Sequence, residues 1–395
     1  MDELLVHGTE VGDSSDERLE TYLSLLACFN ATTGDIENAP AYDALPSFKL
    51  TEKDGAVYVT GEKETIKGSR RKPNVKTTSK GPEKVVICGG GSGAVGTLET
   101  LRELGFKGSI TLITSEGYLP IDRTKLSKAL IPDSNKLALR DEAWYKNADV
   151  STVQDEVVSV DFTEKIVSTK GGSTFPYTKL VLATGGTPTM LPMPGFGDLD
   201  NIFLLRTIPH VQSILAAIGE EKKKKIVVVG SSFIGMEVAN CVAKENDVTV
   251  VGQESAPLEK VMGAEVGKIF QKKLEGNGVK FYMETGVEKA LPSEKDKSKV
   301  GKVVLKNGDE LECDLVIVGA GVKPQTKYLM DNKSISLEED GSLKTNEHFA
   351  VEGVKDVFAI GDIATYPYHV SHSKSPLSTA LTISRVLVET VHQLA

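Results

Sequence analysis

Cysteine is scarce in this 395-residue chain. Cys28, Cys88, Cys241 and Cys313 lie far apart, form no C-x-x-C pair and keep no ligand-like spacing with histidine, so no metal site is expected. So few thiols also fit a reducing compartment, where a buried cysteine behaves as a small apolar side chain. No apolar run approaches the roughly 18 residues of a membrane span, and the opening Met1-Asp2-Glu3-Leu4-Leu5 is acidic where secretory and mitochondrial presequences are basic. The expected location is the cytoplasm, with a mitochondrial association left open. A basic excess is missing too: 46 Lys and Arg against 55 Asp and Glu leave a net charge of −9, which removes nucleic acid as a main partner. What remains is an acidic, globular composition, 40% hydrophobic and 26% charged, in a chain long enough for about two to three domains.

Pro46-Ser47-Phe48-Lys49-Leu50 and Ala56-Val57-Tyr58-Val59 flank a turn at Asp54-Gly55 and predict a β-hairpin. From Gly61 to Lys84 the chain is polar and basic, with Lys63, Lys67, Arg70, Arg71, Lys72, Lys76 and Lys80, the composition of a linker. Beyond it, short apolar strands alternate with helical segments: Val85–Cys88, Ile110–Ile113, Leu180–Ala183, Ile226–Val229, Val248–Val251 and Leu315–Val318. Strands apolar on both faces belong to parallel sheets covered by helices on both sides, so the fold class is α/β, doubly wound. The run Lys222 to Lys225 reads as the exposed end of a helix, where cations complement the macrodipole.

One arrangement occurs twice: a strand, a glycine turn, a helix and a second strand. In the first copy Val85–Cys88 runs into Gly89-Gly90-Gly91-Ser92-Gly93-Ala94-Val95-Gly96. In such a fingerprint the first glycine makes the tight turn, the second lets a pyrophosphate approach bare backbone, and the third small residue lets the helix pack on the strand. Two registers fit, Gly89/Gly91/Ala94 and Gly91/Gly93/Gly96, and the first starts directly at the end of the strand. Glu116 follows the second strand at roughly the 20-residue offset where a carboxylate takes the hydroxyls of an adenosine ribose. In the second copy Gly230-Ser231-Ser232-Phe233-Ile234-Gly235 puts Ser232 where the second glycine belongs, a change expected to weaken binding by roughly fivefold to tenfold. Its next strand ends at Gly252-Gln253-Glu254, with no arginine or lysine in the turn to pair with a 2′-phosphate, which favours NADH over NADPH.

With these residues in place, residues 84 to about 365 resemble the FAD-dependent pyridine nucleotide-disulfide oxidoreductases, in their ferredoxin reductase and apoptosis-inducing-factor-like branch. The resemblance implies two Rossmann-like domains: an FAD domain over 84–200, an NAD(P)H domain over 201–324 and a second FAD part over 325–395. Within Leu119–Lys128 it assigns Arg123 to the FAD pyrophosphate and Lys128 to the flavin ring. It also implies that Glu237 pairs with Lys128, a carboxylate compensating a buried ammonium. Val157 would present backbone to the adenine, Ala183-Thr184-Gly185 would close over FAD, and Asp362, after Gly361, would bind the ribitol chain. Asp314 to Pro324, including Gly321, resembles the close of the NAD domain. The implied reaction passes hydride from NADH to FAD and then electrons, singly, to a protein or small-molecule acceptor. Residues 89–240 contain no cysteine, so a disulfide or reactive-cysteine step is not expected.

The sequence also departs from that pattern. Residues 20–60 are similar to the tail of a Rieske 2Fe–2S domain, with Ala27-Cys28-Phe29-Asn30 and Thr33-Gly34-Asp35, so 1–60 reads as a degenerate Rieske-like segment and 61–83 as the linker. A Rieske centre needs two cysteines and two histidines. The second ligand pair falls on Tyr22 and Leu25, His7 stands alone upstream, and no iron–sulfur cluster is expected. Thr379–Ala395 reads as one helix where family members continue into a further small domain, which predicts an exposed flavin edge, oxygen leakage and weaker FAD retention. These departures frame an alternative, an FAD- and NADH-responsive binding protein with little turnover. The sequence does not set the oligomeric state, and a homodimer is compatible with it.

Overall fold

Short runs of valine, isoleucine and leucine leave no polar face for water and therefore settle into strands buried on both sides. The structure, a computed structural model, describes residues 77–367 without a break, with Val75, Gly34, residues 43–45 and the strands Cys28–Phe29, Ile36–Asn38, Leu50–Lys53, Ala56–Val59 and Lys374–Ser375. The predicted hairpin is present as Leu50–Lys53 against Ala56–Val59, with Lys53 opposite Ala56. That register leaves two residues for the turn, and residues 46–49 lie outside the described residues. Tyr22, Leu25, His7, most of the basic linker and the predicted helix at 379–395 lie outside the described residues.

The elements that carry the sites run in chain order: β1 (Lys84–Cys88), α1 (Ser92–Glu103), β2 (Ser109–Thr114), α2 (Thr124–Lys128), β3 (Val150–Gln154), β4 (Lys179–Leu182) and β5 (Gly186–Pro188). They continue as β6 (Ile202–Leu204), α3 (Ile208–Ile218), β7 (Lys225–Val229), α4 (Phe233–Ala243), β8 (Asp247–Val251), α5 (Glu259–Met262) and α6 (Ala264–Gly276). The last four are β9 (Lys280–Tyr282), β10 (Leu315–Val318), β11 (Val322–Pro324) and β12 (Val357–Ala359). No described helix is long and apolar enough to cross a membrane.

The chain divides into two compact units, Met1–Ser115 with Glu142–Thr184 and Thr326–Ala395, and Glu116–Asp141 with Gly185–Gln325. The first unit holds the parallel sheet β12-β4-β1-β2-β3, the second the parallel sheet β6-β10-β7-β8-β9. Four adjacent positions follow one order in both, with the glycine-turn strand between the strand that follows it and one that returns from far along the chain. That reversal is the switch point at which open α/β sheets take ligands. The second unit starts at 185, earlier than the 201 read from sequence, because β5 pairs with β11, and it takes 116–141 because α2 packs on α4.

Both α/β sheets are covered by helices on one face and by a small antiparallel sheet on the other. In the second unit Ile226 and Val228 of β7 join the helix-side core with Met236 and Val238, while Val227 and Val229 join Val287, Val303 and Leu305. In the first unit Val86, Leu180 and Leu182 pack with Val160 and Val167 from the antiparallel strands Val157–Asp161 and Ile166–Thr169. A continuous apolar run tells that both faces are buried and not by what, so the expected second helix layer is corrected here while the fold class stands. The lysine run is corrected as well: α3 stops at Ile218, and Lys222 and Lys225 pair instead with Glu245 and Glu312.

Two charged groups fasten the first unit. Arg102, buried in the last turn of α1, donates to the carbonyls of Ala148, Phe106, Gly108 and Asp149 at 2.7–3.0 Å and to Ser79 Oγ at 3.2 Å. Ser79 N–H donates to the Asp149 carboxylate at 2.7 Å and Lys80 N–H to the Lys107 carbonyl at 2.8 Å. The end of the stretch read as linker is therefore docked on the domain. Asp356, just before β12, accepts from Lys165 at 2.6 Å and Lys179 at 3.3 Å, and these bonds hold its carboxyl below the usual range. We expect Arg102→Ala to lower stability by about 3 kcal/mol through its five orphaned acceptors, read by urea unfolding. Asp356→Asn should cost about 1 kcal/mol at neutral pH. A carboxylate with a lowered pKa stabilises above its ordinary pKa and loses that contribution as pH falls through the lowered one, so wild type and variant should converge in acid.

Candidate functional site

The first turn begins where β1 ends. Gly89 has φ +125°, and a Cβ there would fall far inside the Ala183 carbonyl oxygen at the end of β4, so only glycine fits. Its N–H donates to the Ile113 carbonyl at 2.8 Å, and Ala183 N–H donates to the Cys88 carbonyl at 2.8 Å, so three strand ends are tied into one knot. Gly91 then caps α1 in extended conformation, and a Cβ on it would meet nothing within 4 Å. This open backbone, with the first N–H groups of α1 behind it, is the cradle that a pyrophosphate requires. Ala94 is fully buried, the packing that the register Gly89/Gly91/Ala94 asks of its third small residue. Ser92 is exposed as the first helical residue, and Gly93 faces Ile360.

The second turn repeats the knot. Gly230 has φ +111°, its Cβ would lie 2.5 Å from the Gly319 carbonyl oxygen, and its N–H donates to the Val251 carbonyl at 2.9 Å. Gly319 N–H donates to the Val229 carbonyl at 2.7 Å. Ser232 caps α4 with φ −82° and ψ −177°, close to the −92° and 178° of Gly91, so its Cβ stands in the space that is empty over Gly91. The hydroxyl faces the Gly319 carbonyl at 3.4 Å. Gly235 cannot carry a Cβ because the Gly230 carbonyl occupies that position.

A cavity of about 310 Å³ opens on this turn, lined by Gly230, Ser232, Glu254, Lys260, Thr285 and Gly321 among others. At Gly252, at the strand end, a Cβ would sit 2.6 Å from Ser231 Oγ, so an acid there would have to displace that side chain. The carboxylate comes instead from Glu254, which accepts from Ser231 Oγ at 3.0 Å and pairs with Lys260 at 2.7 Å. No arginine or lysine stands in the turn itself, but α5 brings Lys260 back to Glu254 from six residues further on. Lys260 was missed because it stands outside the fingerprint, and the buried Ser231 because it takes the fingerprint's second position, where any residue is allowed.

The remaining predicted residues fall into two groups. In the first unit, Thr184 follows Ala183 and its hydroxyl lies 3.3 Å from that of Tyr328, a partly buried residue whose phenol pKa is pushed up by desolvation. Gly361, at φ +75°, and Asp362 open a short helix after β12, and Val157 begins an antiparallel strand just past Asp155, whose N–H donates to the Thr114 carbonyl at the end of β2. In the second unit, Glu116 accepts from Arg123 at 2.5 Å, and Arg123 also donates to the Arg206 carbonyl at 3.1 Å. Gly185 accepts from Gln325 N–H at 2.8 Å. Lys128 lies 3.2 Å from Glu237, with only 10% and 18% of the two side chains exposed, so it is no surface cap. The other Glu237 oxygen accepts from Ser127 Oγ at 2.5 Å, a partner the sequence did not reveal. Cys88 and Cys313 are buried, and desolvation pushes both thiols up to about 12, which leaves them inert.

Residues 83–376 match the pyridine nucleotide-disulphide oxidoreductase family, and the chain belongs to it. It is 35% identical over 349 residues to apoptosis-inducing factor 3 of Homo sapiens, covering 86% of this chain and 56% of that protein, so it spans little more than half of that relative's length. It is 30% identical over 305 residues to the ferredoxin–NAD(+) reductase subunit of the benzene 1,2-dioxygenase system of Pseudomonas putida, covering 76% of this chain and 72% of the other. The solved ferredoxin reductase of Rhodopseudomonas palustris aligns with a TM-score of 0.73 at 26% identity, covering 79% of this chain and 76% of the other. The family implies FAD and a pyridine nucleotide, and the two turns fit such groups: bare backbone at Gly91 in one, a narrowed cradle at Ser232 in the other. Ser232→Gly should tighten binding of ADP-ribose by roughly fivefold, measured by calorimetry on the full chain with excess FAD.

Proposed function

We propose that this chain is an FAD-dependent NAD(P)H oxidoreductase of the ferredoxin reductase type, taking hydride from NADH and delivering electrons to a protein acceptor or a small molecule. The observation that carries the proposal is the duplicated knot of Gly89, Ala183 and Ile113 and of Gly230, Gly319 and Val251, which provides for two dinucleotides in one chain. FAD, when bound, supplies what no side chain here can, two-electron acceptance and stepwise release. Gly91 and the N-terminus of α1 would hold its pyrophosphate and Asp362 its ribitol chain, while roles for Glu116 and Arg123 toward FAD rest on the family resemblance alone.

Glu237 gives the Lys128 ammonium a counter-charge, and Ser127 fixes the carboxylate from its other oxygen, so the cation has one orientation. A positive charge so held favours negative charge developing on a bound ring system. Glu254 offers acceptor oxygens suited to ribose hydroxyls, which supports NADH as the preferred donor. The reductase names of the relatives favour turnover over a nucleotide-responsive binding protein, and the cytoplasm is retained as the compartment. Full-length protein with FAD should oxidise NADH with ferricyanide over many cycles. Lys128→Ala should slow the stopped-flow reduction of FAD by at least tenfold, about 1.4 kcal/mol in the barrier. Single-turnover reduction without sustained turnover would favour the binding protein.

A further inference from the structure

The chain enters the first unit through residues 77–81, which lie outside any helix or strand and are held by a few hydrogen bonds. Thr77 N–H donates to the Asn147 carbonyl at 3.3 Å, and the Lys80 and Gly81 N–H groups share the Lys107 carbonyl at 2.8 and 2.9 Å. Ser79 stands between them. Its N–H donates to the Asp149 carboxylate at 2.7 Å, its hydroxyl bonds to the same carboxylate, and the two bonds hold that carboxyl below its usual range. Ser79 Oγ also accepts from Arg102 at 3.2 Å. The carboxylate cannot turn away, because the Asp149 backbone is pinned at φ +48° by its N–H on the Lys146 carbonyl at 3.1 Å and by Arg102 on its own carbonyl at 3.0 Å. Arg102 is committed as well, since it serves the carbonyls of Ala148, Phe106, Gly108 and Asp149 and reaches Ser79 with what is left.

The sequence before this point is basic: Arg70, Arg71, Lys72 and Lys76 precede Ser79, and no acid stands between Glu64 and Glu83. Kinases select substrates by charge patterns of this kind. Thr78 and Lys80, on either side of Ser79, are exposed, so only the hydrogen bonds above separate the serine from an extended, accessible form. We propose that Ser79 is a phosphorylation site for a serine/threonine kinase that reads basic residues, and that its phosphate releases residues 77–81 from the first unit. In the transfer Ser79 Oγ attacks the γ-phosphorus of ATP, the new Oγ–P bond replaces the bond to the ADP oxygen, and the hydroxyl proton leaves to solvent. A phosphoserine carries about 1.5 to 2 negative charges near neutrality, and beside an acid it repels. Here it removes the hydroxyl that Asp149 accepts from and sets a like charge against a carboxylate that cannot move. Lys107 does not offset this, for it is exposed, screened by solvent, and reaches the segment only at Thr77 Oγ1, 3.4 Å away. Arg102 keeps its four carbonyls, so the release is local.

Full-length protein incubated with ATP, magnesium and the catalytic domain of a basic-directed kinase should gain one phosphate at Ser79, located by mass spectrometry, and Ser79→Ala should gain none there. Release is read by trypsin cleavage after Lys80, since the Gly81 N–H of that bond is tied down in the docked form. Phosphorylated protein and Ser79→Glu should yield the fragment that begins at Gly81 on the order of tenfold faster than wild type, with the urea unfolding midpoint nearly unchanged. Ser79→Gln, of similar size and uncharged, should have a much smaller effect, and adding Asp149→Asn to Ser79→Glu should bring its rate down to that of Ser79→Gln. Phosphate only on Thr77 or Thr78, or none at all, would overturn the site. Cleavage that is unchanged or slower after phosphorylation, or a Ser79→Glu rate that Asp149→Asn does not lower, would overturn the release.

Discussion

The constraint on which both units depend is the pressure of a carbonyl oxygen against a glycine that lacks a side chain. At the end of β4 the Ala183 carbonyl takes the place of a Cβ on Gly89, and at the end of β10 the Gly319 carbonyl does the same to Gly230. Each glycine turns through a left-handed conformation and bonds sideways to the strand that follows its helix. Three strand ends are thereby brought level, and the helix that starts three residues later must point its unpaired N–H groups at the same spot. The motifs after β4 and β10, which look unrelated as Ala-Thr-Gly and Gly-Ala-Gly, perform one task in the two units.

The two knots differ at a single atom group. Gly91 leaves bare backbone and Ser232 does not, yet the cap angles agree closely. The serine thus fits the turn without strain and narrows only the space above it. Around this fixed frame the second unit has rearranged its polar groups. Ser231 fills the space beside Gly252, which removes the strand-end acid and hands its place to Glu254.

Much of this was legible in the residues. All six apolar runs became strands of the two parallel sheets, because a run without a polar face has no stable alternative to burial. The Lys128 and Glu237 partnership, implied by resemblance across more than a hundred positions, is present. What could not be read depended on where distant segments return. The antiparallel sheets on the second faces, the joining of 116–141 to the second unit and the approach of Lys260 to Glu254 are all tertiary events with no local periodicity to announce them. Ser127 escaped notice because a serine next to the lysine of interest looks like any helix residue until its hydroxyl is seen on Glu237. The lysine run leading into β7 misled for the opposite reason, since a local rule about helix ends was applied four residues past the end of the helix.

The account is most directly tested by the visible spectrum of the purified full chain after incubation with FAD and gel filtration. It predicts a yellow protein with roughly one flavin retained per chain, bleached by a pyridine nucleotide under anaerobic conditions. A well-folded protein that leaves the column colourless would contradict the claim that Gly89, Gly91 and Asp362 hold a flavin nucleotide.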